Sequence, residues 1–127
     1  MGNELTSRVT RGTMGELLAQ VYLLAHGVQA APPIRDSGND LIACKHGQFR
    51  ALQVKTRKKP SFSRRGFPDI YNGVVLVVLK EDDENFGKTP PIIYLMRREE
   101  FEHAESLGKK GLKAFQICPR RIEALFQ

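Results

Sequence analysis

The chain has no tryptophan, and its two cysteines, Cys44 and Cys118, stand far apart with no CxxC or Cys/His spacing around them. That gives neither a disulfide framework nor a thiolate metal site, and both are expected as buried small apolar residues in a reducing compartment, the cytoplasm. No apolar run approaches the roughly 20 residues that a membrane helix needs. The start, MGNELTSRVTR, has no apolar core of the kind a signal peptide carries, so no export is expected. Internal repeats and low-complexity linkers are lacking too. The three histidines, His26, His46 and His103, have no partner pattern that suggests catalysis.

What is present describes an ordinary globular protein. A hydrophobic fraction of 41% with 27% charged residues over 127 positions fits one domain, residues 1–127, with a real core. The formal net charge of +6 favours a polyanionic partner.

Periodicity orders the chain. Thr13 to His26 reads as a helix with Met14, Leu17, Leu18, Val21, Leu24 and Ala25 on one apolar face. Thr13 and Glu16 fit a capping box, Thr10 is a second candidate cap, and Gly27 fits the stop. Val28 to Ile34 reads as an edge strand curtailed by Pro32-Pro33. Arg35 to Gly38 is a polar turn with Asp36 in it. Arg57 to Gly66 is a basic loop, Gly73 to Leu79 a central strand buried on both faces, Glu81 to Pro90 a charged loop, and Pro91 to Met96 a further strand. Arg98 to Leu107 is a short helix, Gly111 to Cys118 a last strand, and Pro119 opens a terminal helix with Ile122, Leu125 and Phe126 facing inward. The sum is an α/β fold, a mixed sheet flanked by helices.

Gly38 to Thr56 holds the chemistry. Asn39–Lys45 and Gln48–Thr56 form two strands joined at His46-Gly47, where glycine supplies the positive φ of a tight turn. A two-residue loop there sets Asp40 opposite Gln53. Side chains alternate along a strand, so Gln53 and Lys55 share a face, and Asp40 and Lys55 become diagonal neighbours roughly 7–8 Å apart at the backbone. A three-residue loop would slip the register and send Asp40 to the other side. An acid, an amide and an amine thus converge at one end of an apolar hairpin. Glu16, if its helix crosses the hairpin, is the natural second carboxylate.

Such oxygens suit a hard cation, Mg²⁺ or Mn²⁺ in its place, held by Asp40, Gln53 and Glu16. Lys55 could orient or deprotonate a water, or offset charge on phosphate. Arg57, Lys58, Lys59, Arg64 and Arg65 could track a nucleic-acid backbone. Phe62 and Phe67 could stack on bases or pack on the core, and packing is the expectation.

Glu16 on an N-terminal helix, Gly38-Asn39-Asp40-Leu41-Ile42 entering one strand and Gln53-Val54-Lys55 on the next resemble the PD-(D/E)xK nuclease superfamily. The likeness, over Thr13 to Thr56, is to small proteins similar to archaeal Holliday-junction resolvases and related endonucleases. It implies a restriction-endonuclease-like core, Mg²⁺-dependent cleavage of DNA with branched DNA among the substrates, and often a homodimer. Asp40 falls at the family's Asp position, Gln53 at its Asp/Glu position, Lys55 at its Lys position and Glu16 at its helical Glu position. Two departures stand out: Gln53 replaces a carboxylate, and Asn39 stands where the family has Pro. A literal Pro68-Asp69 follows the Gln-x-Lys segment, in the wrong order, and reads as a turn.

Two other functions compete. Gln53 is compatible with a catalytically inactive nucleic-acid-binding or accessory domain on the same fold. The basic loop alone would suit a protein-interaction module with an acidic partner.

Overall fold

The structure, a computed structural model, describes residues 7–34, 38–60, 67–80, 89–104 and 109–127. Asp36, Phe62, Arg64 and Arg65 lie outside the described residues, as does the Glu81–Lys88 stretch.

Five strands form one sheet in sequence order: β1 (Gln29–Ala31), β2 (Leu41–Lys45), β3 (Gln48–Arg57), β4 (Gly73–Val78) and β5 (Ile92–Arg97). All neighbours pair antiparallel except β3 and β4, which run parallel. A parallel pair needs a long crossover, and residues 58–72 supply it. The fold class is therefore the expected α/β mixed sheet.

The β2–β3 hairpin has the expected register. Lys45 pairs with Gln48 and Leu41 with Leu52, and the Asp40 N–H donates to the Leu52 carbonyl at 3.1 Å. His46 and Gly47 both have positive φ, 54° and 73°, the type I′ geometry that matches strand twist in two-residue hairpins.

Apolar residues seal both faces. On one, α1 (Ser7–Ala25) and α4 (Pro119–Leu125) set Ala19, Leu23, Ile122, Leu125 and Phe126 against Leu41, Leu52, Val54, Val75 and Leu95. On the other, Phe67 and Tyr71 of the crossover join Phe101 of α2 (Arg98–Ala104) over Val74, Leu76 and Met96. The rings of Phe67 and Phe101 stack at 5.0 Å, and Tyr71 meets Phe67 edge-on at 5.1 Å. Phe67 thus packs on the core, as expected. β4, buried along its length, is the central strand that its unbroken apolar run implies.

Several expectations are corrected. Helix α1 begins at Ser7, so Thr13 and Thr10 lie inside it and Glu16 is no capping-box partner. Its buried stripe is Gly15, Ala19 and Leu23, at four-residue steps. Leu17, Val21 and Leu24 are 56%, 60% and 64% exposed. Of the expected face, Leu18 packs half-buried against the core, but both sides of this helix carry apolar residues and periodicity alone does not select the buried one. β1 is shorter than Val28–Ile34, stopping before Pro32. Arg57 ends β3 and does not open a loop.

The segment Gly111–Cys118 is not a strand. Gly111 and Leu112 end the short helix α3 (Lys109–Leu112), Lys113–Phe115 form a 3₁₀ turn, and a single bridge, Tyr94 with Gln116, touches β5. Pro119 starts α4 three residues later, so no ladder can extend. Cys44 and Cys118 are free thiols, half-buried where full burial is expected.

Candidate active site

The site exists because β2 is shorter than β3. The last β2–β3 pair is Leu41 with Leu52, yet β3 continues to Arg57. From Gln53 onward the β2-side edge of β3 has no strand beside it, and its polar backbone groups need other partners. Asp40, just before β2, supplies one: its Oδ2 accepts from the Val54 N–H at 2.8 Å. N–H and C=O of one strand residue point to the same side, so the Val54 carbonyl also faces this open edge. Farther along, the Thr56 carbonyl accepts from Arg57 Nη1 at 2.9 Å.

Helix α1 crosses this edge closely. A Cβ built on Gly15 would lie 1.8 Å from Thr56 Oγ1, so only glycine lets helix and strand approach this far. Glu16, the next residue, is thereby brought to the open edge. It lines a cavity of about 530 Å³ with Arg11, Gly12, Val54, Lys55, Thr56, Arg57 and Lys58.

Electrostatics tie Glu16 and Lys55 to Asp40. Burial first, and the charge of Asp40 second, hold the Glu16 carboxyl above its ordinary range. Burial first, then Arg57, push the Lys55 ammonium below its ordinary value, while Asp40 pulls it back up. Lys55 Nζ lies 4.6 Å from the centre of the Phe67 ring. Glu16 and Lys55 therefore each feel the charge of Asp40. Gln53 joins them through the loop around Asp40: its Nε2 donates to the Gly38 carbonyl at 2.8 Å and to Asn39 Oδ1 at 3.0 Å.

Gln53 is the one buried polar residue among those described, at 4% exposure. Both its amide hydrogens are engaged. Its Oε1 makes no hydrogen bond among the described residues, and an unmade bond on a buried acceptor is costly. Asp40, Glu16 and the Val54 carbonyl offer hard oxygen donors along this edge, and Gln53 Oε1 is a further neutral acceptor without a partner among the described residues. Two acids with neutral oxygens suit Mg²⁺ or Mn²⁺ better than zinc. No cluster of three His, Cys, Asp or Glu occurs among the described residues, so any metal here depends on the neutral oxygens.

Of the basic residues singled out, Arg57 and Lys58 line the cavity, and Lys59 is exposed beside them. Asp69, of the misplaced Pro-Asp pair, is exposed, and its carbonyl accepts from Arg98 Nη1 at 2.7 Å. Arg11 was not foreseen. A helix start at Thr13 leaves it outside α1, whereas the earlier start places it over the cavity.

No protein-family model matches the chain, and no curated relative matches it by sequence. Among solved structures it is similar to a bacterial homing endonuclease, I-Ssp6803I, with a TM-score of 0.57, 20% identity, and coverage of 85% of this chain and 72% of that one. At that identity the likeness is one of fold. Among the described residues, no helix is long and apolar enough to cross a membrane.

Proposed function

We propose that this chain is a metal-dependent endonuclease of the PD-(D/E)xK type that hydrolyses phosphodiester bonds in DNA, branched DNA among its substrates. One observation carries the reading. Glu16, Asp40, Gln53 and Lys55 converge where β3 outruns β2, beside a cavity flanked by Arg11, Arg57 and Lys58. The fold shared with a homing endonuclease supports it.

In this reading Asp40, Glu16 and Gln53 Oε1 would hold Mg²⁺ or Mn²⁺, which would polarise the phosphodiester and acidify a water. Lys55, with its depressed pKa, holds or takes the proton of the attacking water. The new bond joins water oxygen to phosphorus, the bond to the leaving deoxyribose oxygen breaks, and that oxygen takes up a proton from solvent. Arg11, Arg57 and Lys58 hold neighbouring phosphates, with Lys59 adding charge to the approach.

A second copy of the chain belongs to the proposal. Leu17, Val21 and Leu24 line a groove of about 360 Å³ with Gln20, Gln29 and Ala30, and none of these is charged. Two copies that each carry +6 approach best through a face without charge.

The test is plasmid nicking, with linear, branched and single-stranded DNA in parallel, in Mg²⁺, in Mn²⁺ and with chelator. Asp40→Ala and Lys55→Ala should bind DNA and not cut it. Cleavage that survives both substitutions, or survives the chelator, refutes the proposal. The neutral Gln53 favours one alternative, a DNA-binding domain that does not cut. Salt-dependent DNA retention by the wild type with no nicking in either metal would establish it.

A further inference from the structure

We infer that Asn39 is a positioning residue whose side chain fixes the Gln53 amide so that its oxygen, not its nitrogen, faces the metal site; this rests on the metal-dependent reading above. The two ends of an amide have nearly the same shape, and only hydrogen bonds decide which way it points. A cation accepts the oxygen end alone. A glutamine in a ligand position therefore needs a device that a carboxylate does not.

The chain of bonds sets that orientation without ambiguity. The Ile70 carbonyl can only accept, so Asn39 must present its Nδ2, which donates to it at 3.1 Å. Asn39 Oδ1 is thereby turned toward Gln53, where it accepts from Nε2 at 3.0 Å. The Gly38 carbonyl accepts from the same nitrogen at 2.8 Å. Both Gln53 N–H groups are engaged, which leaves Oε1 as the end of the amide with no hydrogen bond among the described residues. A rotated amide would set oxygen against two oxygens. The anchor, Ile70, belongs to the crossover that leads into β4, so that segment also holds the ligand in place.

The chain's two departures from the family pattern, Asn39 for Pro and Gln53 for an acid, thus form one unit. A glutamate at position 53 would meet the Gly38 carbonyl and Asn39 Oδ1 with no proton between them. Restoring the family's acid at that one position should therefore weaken metal binding.

The experiment titrates the full chain with Mn²⁺, following free Mn²⁺ by electron paramagnetic resonance. Circular dichroism and Tm are recorded for each variant. The series is wild type, Asp40→Ala, Asn39→Ala, Gln53→Ala, Gln53→Glu and Asn39→Ala with Gln53→Ala. Outer-shell partners typically contribute 10-fold or more to metal affinity, so Asn39→Ala should weaken Mn²⁺ about 10-fold in the wild type and have no effect once Gln53 is alanine. Asn39→Asp is the second variant. It keeps an acceptor for Gln53 and loses the bond to Ile70, so it should bind Mn²⁺ better than Asn39→Ala. An equal loss from Asn39→Ala in both backgrounds, or tighter Mn²⁺ binding by Gln53→Glu, overturns the inference while leaving the metal site standing. Wild type that binds no Mn²⁺, or binding untouched by Asp40→Ala, overturns the metal reading and this inference with it.

Discussion

Gly15→Ala tests how helix α1 delivers Glu16 and Arg11 to the cavity. The added Cβ would stand 1.8 Å from Thr56 Oγ1 and 2.9 Å from Thr56 Cβ and Cγ2. Relaxed contact needs roughly 3.5 Å. Rotating Thr56 removes the clash with Oγ1 but not that with Cβ, which does not move with χ1. The helix must therefore retreat, by roughly 0.6 Å at least. Overpacking of this kind costs roughly 1–3 kcal/mol, and alanine's helix preference over glycine offsets roughly 1 kcal/mol of it. The variant should fold, with Tm lower by no more than roughly 8 °C. Glu16 rides on the displaced helix, and a misplacement of about 1 Å can reduce rate about 100-fold. The expected result is a folded protein that binds DNA and nicks plasmid more slowly, by up to about 100-fold. Gly15→Ala combined with Thr56→Gly moves the missing side chain across the interface and should recover much of the rate. Cleavage by Gly15→Ala at the wild-type rate, or a folded double variant as slow as the single one, refutes this role for Gly15.

Three more outcomes follow from the same geometry. The Glu16 carboxyl, held above its ordinary value of 4.5 by burial and then by Asp40, is disfavoured as an anion in the folded state. At neutral pH and without metal, Glu16→Gln should raise Tm; the gain should shrink as pH falls through the raised pKa and vanish below 4.5, where folded and unfolded chains are both protonated. A Tm gain that persists at low pH would contradict this. Arg57→Ala and Lys58→Ala should weaken DNA binding across all sequences, each flattening the salt dependence by about one phosphate contact; a filter-binding salt series reads this, and an unchanged slope removes both from the interface. Val21→Asp places a charge in the uncharged groove on α1 and should halve the mass seen by light scattering without lowering Tm; wild type that is already monomeric at working concentration refutes the second copy.

How much of this was legible in the sequence depended on whether a local rule decides the outcome. The β2–β3 register was legible because a two-residue turn with two positive-φ positions fixes it, and the alternation of side chains then places Asp40, Gln53 and Lys55. β4 was legible because a strand covered on both faces must be apolar throughout. The buried face of α1 was not. Leu17, Val21 and Leu24 form as regular a stripe as Ala19 and Leu23, and what selects between them is the close approach at Gly15, a contact between residues 41 positions apart. The segment after Gly111 misled for a related reason. It does meet β5, through the Tyr94–Gln116 bridge and the Ile117 N–H donating to the Ile93 carbonyl at 2.9 Å, but Pro119 follows too soon for a ladder.

The candidate site divides in the same way. Its residue types could be gathered from spacing; the bonds that orient them could not. Gln53 read alone is a weakened acid, and Asn39 read alone is a missing proline. Only the bond from Asn39 to Ile70 shows that one amide has been set to aim the other. An acid replaced by its amide keeps one oxygen and gains two donors, and those donors must find acceptors away from the metal before the oxygen is of use. In this fold the acceptors lie next to Asp40 in the chain, on Gly38 and Asn39, so the amide is held by the backbone that also places the carboxylate. A glutamine at such a position is therefore to be weighed with the two residues before the aspartate. Where those can accept both of its N–H groups, the amide oxygen is left available as a neutral donor.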